Sequence, residues 1–346
     1  MDYYCATKFK ELQVHVQGRL LYNCCNALPE RIDIDWLKAN PGKLFHTDTM
    51  VNDRKLMLAN QSCESCHHGC YKYELQGLKS TRQMRLDKDR IQNPEAPLQN
   101  LQIVLSNDCN LSCVYCGPEW SSSWVKEIKK TGDYMLEGQT IANNNWSILW
   151  AKMKQKARST ESNFFQLLLD EIKMAKDLKD IVMMGGEPLL NNQLLQVVEK
   201  IKDKRITVVT GLGVSDERLD KILNAFEGQK IIFSVSGEAT GRHFEFIRQG
   251  IKWRDFQRRV DRISKAGHEV KFLATLSNIS YFDIHNFYEL YETQHKILPN
   301  LLNERNFLLP HVMDDASKEI CLNNINAIGD SVLTDAIKKD PTEIER

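Results

Sequence analysis

Cys109-Asn110-Leu111-Ser112-Cys113-Val114-Tyr115-Cys116 places three thiols on one short stretch, separated by three residues and then by two. The stretch follows Leu101–Leu105, a short apolar run that reads as a β-strand. Loops at the carboxyl ends of parallel strands are where α/β folds build their ligand sites. Three thiolates on one tight loop suit a cubane iron–sulfur cluster with one iron left open, whereas a structural zinc or a closed cluster asks for a fourth ligand. Nothing suitable follows closely, since Gly117, Pro118 and Glu119 come next and no histidine is near.

Beyond this loop, residues 117–160 read as an insertion, with Asn143-Asn144-Asn145 and tryptophans nearby. Strands and helices then alternate. Phe164, Phe165, Leu168, Leu169, Ile172 and Ala175 recur at helical spacing, and Ile181–Met184 reads as the second strand. Further strands are expected at Ile206–Val209, Ile231–Val235 and Val270–Leu276, with Phe307–Leu309 as the last. Helices are expected over Leu194–Ile201, Leu219–Phe226 (with Asp216 near its start), Phe256 through Ile263, and Phe282–Tyr291. Such alternation predicts an α/β layer fold with right-handed parallel crossovers, open or barrel-like. The second strand ends in Met184-Gly185-Gly186-Glu187-Pro188. Paired glycines let backbone approach a ligand with no Cβ in the way, and the carboxylate beside them can accept hydrogen bonds from an ammonium group. Thr210-Gly211-Leu212-Gly213 lacks the third glycine of a dinucleotide fingerprint and reads as a loop.

The whole chain of 346 residues corresponds to about two domains. Its 46 Lys plus Arg are balanced by 46 Asp plus Glu, so the charge gives no indication of a nucleic-acid partner. No apolar run is long enough to span a bilayer. Met1-Asp2-Tyr3-Tyr4-Cys5 lacks the basic and apolar regions of a signal peptide, so a cytoplasmic protein is expected. Nine of the ten cysteines lie before residue 117. Thiols kept reduced in a cytoplasm are expected to bind metal or do redox chemistry rather than form a disulfide framework. Besides the loop, the ligand-rich set is Cys5, Cys24, Cys25, Cys63, Cys66 and Cys70, within residues 1–78, and a polar linker over 79–99 follows it.

The cysteine loop after the first strand and the Gly-Gly-Glu segment after the second together resemble the radical S-adenosylmethionine (radical SAM) enzymes. The resemblance extends over about residues 100–310. Phe233-Ser234-Val235-Ser236-Gly237, then Arg242-His243 and Phe246-Ile247-Arg248-Gln249-Gly250, is similar to a segment with a trailing arginine in peptide-modifying members. The resemblance implies a partial (βα)6 radical SAM barrel of α/β class, with a small cysteine-rich N-terminal metal-binding domain before it and a C-terminal extension over 311–346. Cys109, Cys113 and Cys116 would hold three irons of a [4Fe-4S] cluster, and S-adenosylmethionine would chelate the fourth. Glu187, with backbone of Gly185 and Gly186, would hold the methionine amino group. Tyr115 would lie near the adenine or fill the loop's own core. Ser234 or Ser236 would bind ribose, and Arg248 the methionine carboxylate. Reductive cleavage would yield a 5′-deoxyadenosyl radical that abstracts hydrogen from a substrate.

The N-terminal cysteines resemble those of twitch and SPASM auxiliary-cluster domains, although such domains usually follow the barrel. That resemblance implies a second [4Fe-4S] cluster on Cys5, Cys24, Cys63 and Cys66, with Cys70 and Cys25 as substitutes. Cys63-Glu64-Ser65-Cys66-His67-His68 also suits zinc. The implied substrate is a peptide or protein side chain, with a sugar, aminocyclitol or nucleotide-like small molecule as the alternative. The implied electron donor is a reductase, flavodoxin or ferredoxin. A non-enzymatic zinc-binding module would explain the N-terminal cysteines alone. Anaerobic reconstitution separates these readings: brown protein with about seven to eight irons per chain supports the two-cluster enzyme, and colourless protein with stoichiometric zinc supports the zinc module.

Overall fold

The computed structural model describes residues 2–24, 26–75, 77, 80–84, 90–132, 135–136, 139–140, 161–302, 306–326, 328–329 and 331–338. Cys25, Asn143–Asn145 and most of the expected insertion lie outside the described residues, as do parts of the 79–99 linker. Leu12, Val14 and Val16 alternate with polar residues, and β1 (Glu11–His15) forms there. It turns back into β2 (Leu20–Tyr22), and β3 (Glu30–Arg31) pairs beside that. The next strands are β4 (Asn100–Val104), β5 (Asp180–Met184), β6 (Arg205–Thr210), β7 (Ile232–Ser236), β8 (Glu269–Leu276) and β9 (Lys296–Leu301). Helices used below are α1 (Asp48–Leu58), α2 (Ser122–Thr131), α3 (Glu161–Met174), α4 (Asn192–Lys200), α5 (Asp216–Ala225), α6 (Gly241–Ile247), α7 (Trp253–Lys265), α8 (Ile284–Tyr291), α9 (Asp315–Ile325) and α10 (Ser331–Lys338).

Among the described residues these strands form one sheet in the order β9-β8-β7-β6-β5-β4-β1-β2-β3. From β4 to β9 every neighbour is parallel. Alternation along each strand explains the layering. Ile181, Met183, Ile206, Val208, Phe233, Val235 and Phe272 are buried in one core with Leu168, Leu194, Val197, Leu219, Ile222, Phe256 and Val260 from the helices. Burying each such side chain stabilises the fold by about 1.5–3 kcal/mol. On β7, the alternate residues Ser234 and Ser236 are only half-buried. The register sets Val104 opposite Met184. The loops after β4 and β5 therefore leave the sheet side by side.

One expectation is corrected by the fold. The last strand is β9, not Phe307–Leu309, where Asn306–Leu308 forms a single 3-10 turn. Pro299 obscured the real strand, because proline within an apolar run argues against a central strand. It is tolerated here because β9 is an edge strand, paired only with β8. Part of residues 1–78 joins the main sheet. β1 pairs parallel to β4 from Glu11↔Asn100 to His15↔Val104, and Leu12 and Val14 belong to the main core. So few apolar residues could not close a core alone. The cysteine-bearing remainder forms a satellite cluster of Tyr4, Cys5, Phe9, Met57, Cys63, Cys66 and Tyr71.

After residue 311, α9 and α10 cover the far end of the sheet. Cys321, Ile325, Leu333 and Ile337 pack against Ala274, Leu276 and Tyr281, and Tyr281 Oη donates to the Leu333 carbonyl at 2.8 Å. Among the described residues no helix is long and apolar enough to cross a membrane.

The N-terminal segment is fastened to the parallel sheet's helical layer by Glu171 on α3, whose carboxylate accepts from Gly42 N at 2.6 Å and Leu44 N at 3.0 Å. Glu171→Ala leaves both donors unmet and is expected to cost about 2–4 kcal/mol. Urea unfolding followed by circular dichroism reads this as a lower midpoint, and an unchanged midpoint would contradict the fastening role.

Candidate active site

The three-cysteine loop is held from two sides. On one side is α2, whose N-cap Ser121 accepts from Ser123 N and Trp124 N. Ser121 Oγ also donates to the Leu111 carbonyl at 2.6 Å. Ser122 and Ser123 hydroxyls donate to the Cys109 carbonyl at 3.0 and 2.9 Å. Trp124 Nε1 donates to the Cys113 carbonyl at 2.9 Å. On the other side, Ser112–Cys113 pairs antiparallel with Arg248–Gln249, and Val114 N donates to the Ile247 carbonyl at 3.0 Å. Gly250 ends that segment at φ +110°, and a Cβ there would lie 2.7 Å from the Asn110 carbonyl oxygen.

Within the loop, Cys113 is buried while Cys109 and Cys116 are half-buried. Burial pushes all three thiols up, Cys109 to about 12. A thiol in such surroundings stays protonated until a bound metal displaces the proton. Three cysteine sulfurs carried on one short loop are a donor set that suits an iron–sulfur cluster. Among the described residues no three His, Cys, Asp or Glu side chains are gathered around a single-ion point. A cubane takes its cysteines on different irons, so its thiolates need not meet at one point.

Gly185 and Gly186 lie against the backbone leading into this loop. Gly186 N donates to the Ser106 carbonyl and Glu187 N to the Asp108 carbonyl, both at 2.8 Å. Gly185 adopts φ +144°, and a Cβ on it would sit 2.5 Å from the Ser106 carbonyl oxygen. Only glycine allows both the conformation and the approach. The carboxylate of Glu187 is buried among donors from its own chain. Oε1 accepts from Leu189 N at 3.2 Å and from Thr210 Oγ1 at 2.7 Å. Oε2 accepts from Gly211 N at 3.0 Å and Gly213 N at 3.2 Å. Four donors reach the acceptor sites of this carboxylate, so the side chain ties the loop after β5 to the loop after β6. Burial pushes its carboxyl up, against the downward pull of these donors. Gly211 and Gly213, read from sequence as a plain loop, are thus part of the site's frame.

A second buried carboxylate, Glu238, escaped the sequence reading. It follows β7 and is fully buried. Arg248 Nη2 donates to Glu238 Oε2 at 2.6 Å, and Tyr115 Oη donates to Oε1 at 3.1 Å. The guanidinium stands 5.5 Å from the Tyr115 ring centroid, its Nη1 is 3.9 Å from Cys113 Sγ, and its buried Nε has no hydrogen-bond partner. The signal available was Ser236-Gly237-Glu238, a charge directly after a buried strand.

In the N-terminal set, Cys5, Cys63 and Cys66 share one small buried cluster. Cys5, Cys63, Cys66 and Cys70 are buried free thiols, and Cys24 is a half-buried one. Ala27 N donates to the Cys24 carbonyl and Leu28 N to the Ser65 carbonyl, both at 3.0 Å, which lays the Cys24 turn on the Cys63–Cys66 turn. The Cys66 thiol hydrogen-bonds the Cys63 sulfur and, with Lys8 nearby, pulls Cys63 down to about 6.

A family model described as the Radical SAM superfamily matches residues 103–295. No curated protein sequence matches the chain. Similar solved structures include anSMEcpe with bound AdoMet and the Kp18Cys peptide, at 12% identity over 66% of this chain and 59% of that chain, TM-score 0.42. Another is Streptococcus suis SuiB bound to S-adenosylmethionine, at 12% identity over 92% and 68% of the two chains, TM-score 0.38. A third is SuiB bound to precursor peptide SuiA, at 11% identity over 85% and 62%, TM-score 0.36. The chain spans about three fifths of the length of the anSMEcpe chain it matches.

Replacing Gly185 by alanine tests the contact between the two loops. The variant is expected to keep the circular dichroism of the parent while losing the iron bound at Cys109, Cys113 and Cys116. Retention of that iron would contradict the geometry.

Proposed function

We infer the reaction from the superfamily to which this chain belongs, radical SAM. Membership implies an enzyme that uses S-adenosylmethionine and a [4Fe-4S] cluster. The proposal is that Cys109, Cys113 and Cys116 hold this cluster and that the substrate is a peptide or protein side chain. The observation that carries it is the backbone contact of the Gly185-Gly186 loop with the start of the cysteine loop. An open iron at that junction would be bordered by glycine backbone.

When bound, the cluster and S-adenosylmethionine would supply reductive cleavage of the sulfonium and a radical able to take a substrate hydrogen. The protein's residues supply position. Among the described residues no hydrogen bond ends on the carbonyl oxygens of Gly185 or Gly186, which suits them to accept from the methionine ammonium. Glu187 holds their loop in place from behind. Arg248, with Nε still available, pairs with the methionine carboxylate. Ser234 or Ser236, both half-buried on the face of β7 opposite Phe233 and Val235, binds ribose. Tyr115, oriented by Glu238, lies along the adenine.

Support for a peptide comes from the rim. Phe246, Phe282 and Phe307 are exposed on the segments after β7, β8 and β9, at the same end of the sheet as the cysteine loop. Apolar side chains there suit peptide residues better than a polyhydroxylated sugar. The auxiliary [4Fe-4S] cluster is assigned to Cys5, Cys63 and Cys66 with Cys24 or Cys70 as fourth ligand, and a flavodoxin, ferredoxin or reductase supplies electrons.

Cys113→Ala is expected to abolish formation of 5′-deoxyadenosine while leaving the N-terminal iron in place. Cys63→Ala is expected to remove about half of the iron yet retain some uncoupled cleavage, as one of two [4Fe-4S] sites is lost. Chromatographic assay of 5′-deoxyadenosine with iron analysis reads both. Identical behaviour of the two variants would overturn the two-site assignment.

A further inference from the structure

Lys8 runs into the N-terminal cysteine nest with its side chain fully buried. Its Nζ lies 2.6 Å from Asp53 Oδ2 on α1 and 2.5 Å from Ser65 Oγ. The Ser65 oxygen is in turn 2.5 Å from Asp53 Oδ2 and 3.7 Å from Cys63 Sγ. Lys8 N donates to the Cys5 carbonyl at 3.2 Å, so the turn that carries one thiol also carries the cation. A second buried cation, the guanidinium of Arg54, donates to the Lys8 carbonyl at 3.3 Å.

Burying an ammonium costs stability even when it is paired, and a well-packed apolar residue is often as good or better for the fold. The pair therefore calls for a charge-based role, and its surroundings supply one. Four thiolates around a [4Fe-4S]²⁺ core leave a net charge of −2, which becomes −3 when one electron is added. Nearby charge and hydrogen bonds to sulfur set the potential of such a cluster. Ser65 has a single hydroxyl proton and two acceptors within reach, Asp53 and the Cys63 sulfur. As charge accumulates on sulfur, that proton is drawn toward Cys63.

We propose that Lys8 and Asp53 form an opposed charge pair that sets the reduction potential of the auxiliary cluster, the ammonium favouring its reduced state and the carboxylate opposing it. This rests on the reading that Cys5, Cys63 and Cys66 hold a [4Fe-4S] cluster. Reduction adds one electron from a donor of the flavodoxin or ferredoxin class, and no bond breaks. Lys8 and Asp53 are positioning residues that act through Ser65 and through space.

The test uses the full chain with Cys109, Cys113 and Cys116 all replaced by alanine, reconstituted anaerobically, so that only the auxiliary cluster titrates. Dithionite titration followed by electron paramagnetic resonance gives the midpoint. Lys8→Met should make reduction at least tenfold less favourable, a shift of about 59 mV to more negative potential for one electron. Asp53→Asn should shift it to more positive potential, and Lys8→Arg should stay near the parent. Equal midpoints in all variants, or shifts of the same sign for Lys8→Met and Asp53→Asn, would overturn the proposal. Should Lys8→Met fail to hold iron, Asp53→Asn decides: a positive shift supports the proposal and an unchanged midpoint overturns it. A parent protein that binds zinc and no iron defeats the underlying cluster reading itself, a result distinct from iron retained with unmoved midpoints.

Discussion

The buried carboxylate of Glu187 is the tie on which the site depends. It collects donors from Leu189 beside it and from Thr210, Gly211 and Gly213 on the next strand's loop. Its own backbone N–H donates to Asp108, one residue before the first cysteine. One residue thus joins the ends of β4, β5 and β6. An acceptor buried this deeply holds its donors because water cannot replace it, and each donor left unmet costs about 1–3 kcal/mol. The cysteine loop keeps its place against glycine backbone because that tie leaves the neighbouring loops no freedom to separate.

Most of the barrel was legible in the sequence, because its strands are short apolar runs and its helices carry apolar residues at helical spacing. β5, β6, β7 and β8 fall within a residue or two of where the pattern puts them. β9 was hidden by Pro299, whose tolerance depends on an edge position that no local pattern records. The place of β1 beside β4 was equally invisible, since register between strands so distant in sequence is decided by packing. Within the site, residue types were legible and their directions were not. A carboxylate next to two glycines looks like a ligand, and only its surroundings reveal that Glu187 faces inward. Glu238 was missed for the converse reason, as a lone charge after Gly237 carries no motif. Ser121, Ser122 and Ser123, which fasten the loop, read as the polar start of an insertion.

The two cysteine groups have contrasting environments. The loop after β4 is held by backbone and by hydroxyl groups on its carbonyls, and Arg248 with its partner Glu238 stands beside Cys113. Gly185 and Gly186 lie against the backbone that leads into this loop. The N-terminal nest is closed around a buried ammonium, with Asp53 and Ser65 bridging it to Cys63. Its sheet pairing through β1 joins it to the first strand of the barrel, so the two groups belong to one continuous scaffold.

The most direct test is the magnetic spectrum of the first cluster when its co-substrate arrives. In a Cys63→Ala, Cys66→Ala protein reduced with dithionite, adding S-adenosylmethionine should change the electron paramagnetic resonance signal, since the amino and carboxylate groups then occupy the iron that lacks a cysteine. A signal identical with and without S-adenosylmethionine would mean that no iron at Cys109, Cys113 and Cys116 is open to it, and the account would fail.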